Sequence, residues 1–117
     1  MRRSVSIAVL VAVVLGIVAL GAKSSVVAAQ QKPQNDEVKI DNFSFGPAAV
    51  TVSVGSTVTW TNRDDIPHTV VSSDDPKVFK SKVLDTDEKF SFTFTKAGTY
   101  AYFCSIHPKM TGKVVVQ

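Results

Sequence analysis

Thr99-Tyr100-Ala101-Tyr102-Phe103-Cys104-Ser105-Ile106-His107-Pro108-Lys109-Met110 joins two patterns that together decide the fold. Tyr100, Tyr102 and Cys104 share one parity, so an extended chain points all three inward while Thr99, Ala101 and Phe103 face the other way. After Cys104 the alternation stops, and Cys104, His107 and Met110 stand as Cys-x2-His-x2-Met. That spacing lets one short loop wrap a single ion and offer it a thiolate, an imidazole and a thioether. Soft sulfur donors beside imidazole suit copper, and two His, one Cys and a weak Met make the blue-copper donor set.

Taken singly, these residues have ordinary explanations, since a lone Cys is usually a small buried hydrophobe and a lone Met a core filler. The cluster is harder to explain away. It gathers the only Cys, one of the two His and one of the two Met of the chain into seven residues. Zinc is the inorganic rival, but a structural zinc site wants four firm ligands and a thioether is a poor fourth. A Cys-His nucleophilic pair is the organic rival. It needs a group that orients the base, no residue in the sequence marks one, and Met110 would have no role.

The second histidine, His68, lies 36 residues before the cysteine, between Ile66-Pro67 and Val70-Val71, and it is the only remaining imidazole. With His68, Cys104, His107 and Met110 in these places, the stretch from about Val38 to Gln117 resembles the cupredoxin family, specifically its small amicyanin and plastocyanin type. The resemblance implies an all-β Greek-key β-sandwich holding one copper ion at a type 1 site. His68, Cys104 and His107 would stand around the ion, with Met110 as the long axial ligand. It also implies a monomeric carrier of single electrons by Cu(II)/Cu(I) cycling and not an enzyme. Donor and acceptor would be redox proteins that dock briefly near His107, inside a collar of Ile66, Pro67, Ile106 and Pro108.

Three departures from that type are visible. Thr69 stands where many such proteins carry an Asn that braces the two ligand segments; its shorter side chain puts the brace in question, although its backbone N–H could still reach the sulfur. Ile106 replaces the Pro typical of amicyanins, and Phe103 replaces the Tyr of plant plastocyanins. Ser105 keeps a hydroxyl directly after the cysteine.

The rest of the chain reads as short strands. Val38-Lys39-Ile40 opens the fold, Phe43 and Phe45 precede a Gly46-Pro47 break, and Val50 to Val54 alternates. Val58 and Trp60 share a face, and Asn62-Arg63-Asp64-Asp65 reads as a polar turn before a strand carrying His68 through Ser72. Residues 73–82 have no strong period, with Phe79 as a loop anchor and Val83-Leu84 at most a short strand. Lys89 to Thr95 puts Phe90, Phe92 and Phe94 on one side, as core. Tyr100 after Gly98 fits a tyrosine corner, and Gly112 is expected to relieve the backbone before the closing Val114-Val115-Val116. Short strands between turn signals, with no long helical period, make a β-sandwich.

Residues 1–29 read as a signal peptide, with Arg2-Arg3, an apolar run from Ile7 to Leu20 and small residues at Val27-Ala28-Ala29. Residues 30–37 read as a flexible lead-in, and 38–117 as the copper-binding domain. The expected location is the periplasm or another exported compartment, or the membrane surface if the leader is retained as an anchor. The formal charge of +3 belongs to that leader: without Arg2, Arg3 and Lys23, ten basic residues face ten acidic ones, so no nucleic-acid partner is implied. No small-molecule substrate is expected either. A single Cys cannot close an internal disulfide in an oxidising compartment, and a bound metal would protect the thiol. Two other functions compete: a copper-delivery module with the same ligands, which usually needs a Met-rich exchangeable site, and a plain sandwich interaction domain.

Overall fold

The computed structural model describes Lys32–Gln117, and the expected leader lies outside the described residues. Eight strands form two four-stranded sheets. One sheet runs in the order β2 (Ser44–Gly46), β1 (Asn35–Asp41), β4 (Thr57–Asn62), β6 (Lys89–Thr93). The other runs β3 (Ala49–Val52), β8 (Thr111–Val116), β7 (Gly98–Phe103), β5 (Val71–Ser72). β1 pairs with β4 and β3 with β8 in parallel, and the other pairs are antiparallel. No helix among the described residues is long and apolar enough to cross a membrane. This is the all-β sandwich that the alternation implies.

Strand parity sets the inside. Val38, Ile40, Val58 and Trp60 from one sheet meet Val50, Val52, Tyr102, Val114 and Val116 from the other, all buried. Phe79 comes from the stretch without period and is buried at the middle of this core. Its ring centroid lies 5.7 Å from Trp60, 5.1 Å from Phe92 and 5.6 Å from Phe94. Aromatic pairs in such offset and edge-on contacts add about 0.5–1.5 kcal/mol beyond their buried area. Tyr100 makes the expected corner, its hydroxyl donating to the Lys96 carbonyl at 2.7 Å.

The structure departs from the sequence reading in three places. Strand β1 begins at Asn35 and not at Val38, because Thr57 N–H bonds the Gln34 carbonyl and Gln34 N–H bonds Ser56 Oγ. His68 does not ride on a regular strand. It forms an isolated bridge with Leu84 through two backbone bonds of 3.1 and 2.8 Å, and only Val71–Ser72 is strand. Pro67 has no N–H to extend a ladder backwards, which limits the pairing there.

Gly112 does not relieve the backbone. A Cβ at this position would lie 2.5 Å from the tip of the Tyr102 ring, which is buried against Phe45 and Trp60. The glycine is needed for space. Gly112→Ala is therefore expected to lower stability by about 1–3 kcal/mol, the usual result of overpacking. Urea unfolding measures this, and a variant as stable as the parent would show that the Tyr102 ring has room to move.

Candidate metal centre

Two segments distant in sequence meet at one end of the sandwich. β7 ends at Phe103, so Cys104 follows the strand parity inward and is 0% exposed. The chain then turns back on itself: Met110 N–H donates to the His107 carbonyl at 2.9 Å, and Cys104 N–H donates to the Met110 carbonyl at 3.1 Å. These two bonds close the loop and hold Cys104, His107 and Met110 in fixed relation. Met110 is buried and His107 half-buried.

The other segment is shaped by buried Asn62. Its Nδ2 donates to the carbonyls of Ile66 and Leu84 at 2.9 and 2.8 Å, and its Oδ1 accepts from Asp64 N–H at 2.8 Å. The 62–66 turn is thereby fixed, and it delivers His68, fully buried, beside Cys104. Cys104 Sγ lies 3.7 Å from His68 Nδ1 and 3.8 Å from His107 Nδ1, and one donor atom from each residue lies within 4.8 Å of the others. An ion with bonds of about 2.0–2.3 Å to nitrogen and sulfur, roughly trigonal, leaves N to S separations of about 3.7 Å. Spacing and donor chemistry both fit a single soft or borderline ion. Met110 belongs to the same loop and lines a cavity with His107.

Thr69 makes the brace that its short side chain put in question. Its Oγ1 accepts from Ser105 N–H at 2.8 Å and shares a 2.8 Å hydrogen bond with Ser105 Oγ, tying the His68 segment to the Cys104 loop. Its own N–H points at the sulfur at 3.4 Å. A branched hydroxyl thus does by a short reach what a longer amide does elsewhere.

Besides the role of Asn62, sequence reasoning missed two participants. Asp64, taken for part of a polar turn, has Oδ2 at 2.9 Å from His68 Nε2. A carboxylate in this role only accepts, so Nε2 carries the proton and Nδ1 presents its lone pair towards Cys104. Hydrogen bonds from His68 and from Phe43 N–H hold the Asp64 carboxyl below its ordinary range. Phe43 is the other. At the tip of the β1–β2 hairpin, its ring stands edge-on to His68 and His107 at 5.7 and 5.0 Å. The only signal for Asp64 was its place four residues before the histidine; for Phe43 it was a large apolar residue beside Asn42 in a turn.

His107 opens onto a cavity of ≈ 500 Å³ lined by Phe43, Ile106, His107, Pro108, Lys109 and Met110. Ile106 and Pro108 of the expected collar line it, while Ile66 and Pro67 do not; Phe43 takes part instead.

Burial pushes the Cys104 thiol up, but the Thr69 N–H and the backbone of His107 outweigh it and bring it down to about 6. In the metal-free protein, the ultraviolet absorbance of the thiolate is expected to titrate there and not at the ordinary 9.0. A folded value below the unfolded one means that Cys104 adds stability above the ordinary thiol range. That contribution shrinks as the pH falls and is gone below about 6. A midpoint at or above the ordinary value would contradict this hydrogen bonding.

Comparison with known proteins gives a consistent picture. The family model for copper binding proteins of the plastocyanin/azurin family matches residues 32–117. Amicyanin-alpha of Methylorubrum extorquens is 40% identical over 94 residues, covering 77% of this chain and 79% of that one. Amicyanin of Paracoccus denitrificans is 40% identical over 83 residues, covering 68% of this chain and 63% of that one. Among solved structures, a purple cupredoxin from Nitrosopumilus maritimus superposes with a TM-score of 0.66 at 34% identity, over 70% of this chain and 99% of that one. The reduced state of an amicyanin mutant gives 0.67 at 38% identity, over 71% and 82%.

Proposed function

The chain belongs to the plastocyanin/azurin family of copper binding proteins, and on that footing we propose that it is an exported carrier of single electrons whose copper is held by His68, Cys104, His107 and Met110. The observation that carries this reading is the spacing of the two imidazole nitrogens from the thiol sulfur, 3.7 and 3.8 Å, in a site whose Cys and one His are fully buried.

Bound there, copper supplies a one-electron couple between Cu(II) and Cu(I). The protein supplies rigidity. His68 is fixed by the Asn62 turn and by Asp64, and Cys104 by the Met110 carbonyl and the Thr69 N–H. His107 is fixed by its carbonyl bond to Met110 N–H. Side chains held this way rearrange little when the charge at the site changes, which favours fast transfer. The hydrogen bond to sulfur and the apolar surroundings would set the potential.

Electrons enter and leave at His107, the half-buried ligand, inside the apolar cavity with Phe43, Ile106 and Pro108. A small apolar surface suits brief contacts with redox proteins. Residues 1–29 serve as the export signal, or as an anchor if they are retained. A delivery role is disfavoured because the thiolate is buried and Met is scarce, and both features work against exchange.

Adding Cu(II) to the protein is expected to produce an intense visible band that disappears on mild reduction and is absent in Cys104→Ala. A protein that takes up copper without that band would lack the thiolate bond and would point to delivery instead. Copper should also raise the melting temperature by linkage, with about 4 kcal/mol gained at a thousandfold excess over Kd. An unchanged melting temperature would mean that the ion binds folded and unfolded chains alike.

A further inference from the structure

Outside the four donors, one side chain holds both His68 and the backbone of Phe43, whose ring faces the two imidazoles. Asp64 Oδ2 accepts from His68 Nε2 at 2.9 Å and from Phe43 N–H at 3.1 Å, while Oδ1 accepts from Asp65 N–H at 3.0 Å. Its backbone is fixed as well, N–H to Asn62 Oδ1 at 2.8 Å and carbonyl to Thr86 Oγ1 at 2.7 Å. The side chain is only 14% exposed. A surface turn aspartate does not need this much fixing.

Phe43 needs the contact too. Asn42 and Phe43 have φ of 54° and 56°, the left-handed pair of a two-residue hairpin loop. Asn tolerates that region, but a bulky L side chain there costs about 1–2 kcal/mol. The bond from Phe43 N–H to the carboxylate helps to offset this. The conformation also aims the ring, 48% exposed, edge-on at both imidazoles, which stand 5.0 Å apart. Perpendicular contacts of this kind are a favoured arrangement of aromatic rings, and the wedge limits how either imidazole can tilt.

We propose that Asp64 is a positioning residue of the copper centre, with one carboxylate oxygen fixing and polarising His68 from behind while it holds the Phe43 wedge against both imidazoles. This rests on the reading of His68 and His107 as ligands. An anion on Nε2–H makes Nδ1 a stronger donor, and a carboxylate next to a metal-bound His raises its basicity. It favours the more highly charged Cu(II) and so lowers the midpoint potential. Asp64 also links the buried ligand to the surface of the port, since moving it displaces His68 and Phe43 together.

The test compares the full chain with Asp64→Asn and Asp64→Ala, loaded with copper. Asparagine can keep the His68 and Phe43 bonds through its one oxygen but loses the charge and the Asp65 bond: its midpoint potential should rise and its Cu(II)-over-Cu(I) preference fall, with a smaller loss of thermal stability than in the alanine variant. Alanine removes both bonds: Cu(II) affinity, read by chelator competition, should fall about 10–100-fold, and the Phe43 ring protons should shift as they leave the two imidazoles. If Asp64 only caps its turn, both variants lose thermal stability while the potential and the affinity ratio stay at parental values, which overturns the proposal. Should a variant fail to fold, the parent decides: in the Cu(I) form, a slowly exchanging, downfield His68 Nε2–H resonance supports the bond, and a fast-exchanging one contradicts it. A parent without the thiolate-copper band would overturn the ligand reading itself and this proposal with it. Normal parental spectra with unaltered variants would overturn the positioning role alone.

Discussion

A thiol fully shut away from water, which its neighbours draw towards the charged form, is the constraint on which the rest of this structure depends. Cys104 is buried at the end of β7, where the strand parity leaves it no other direction. A thiolate in such a place must be met by donors or by a cation. The protein supplies the Thr69 N–H as donor and sets two imidazole nitrogens where they can hold a cation with the sulfur, and each of these groups has to be held in place by something else. Asn62 fixes the turn that carries one imidazole, the Met110 backbone closes the loop that carries the other, and Thr69 ties the two segments together.

Seen this way, the sandwich is a frame for a triangle of donor atoms. The triangle is already spaced for an ion in the folded protein, so little has to move on binding and little on a change of oxidation state. That property separates a carrier from a delivery module, which must let its ion go. The apolar opening at His107 would give the proposed centre one half-buried ligand, and the Phe43 ring beside it belongs both to that opening and to the packing of the imidazoles. The opening and the support of the imidazoles thus share a residue.

The loop from Cys104 to Met110 was legible because its three donors are close in sequence, and His68 because no other imidazole was left. The sheet strands were legible through period-two alternation, most clearly in Phe90, Phe92 and Phe94. Asp64, Phe43, Asn62 and the true role of Thr69 were not. Each acts through a contact that spans about 20 to 36 residues or depends on the shape of a particular turn, for example Phe43 to Asp64 and Thr69 to Ser105. Alternation carries no such information. Phe79 was legible only as a loop anchor: it lies in a stretch without period, and only the closing of the two sheets puts it in the middle of the core.

The most direct test of the central claim is the crystal structure of the protein loaded with copper, solved in both oxidation states and without metal. One ion is expected, bound by His68 Nδ1, Cys104 Sγ and His107 Nδ1 with Met110 beside them. The Asn62 turn and the Thr69 brace should be unchanged across all three structures. An ion bound elsewhere, or a site whose two segments separate when the metal is absent, would contradict the idea that this fold builds its donor triangle in advance.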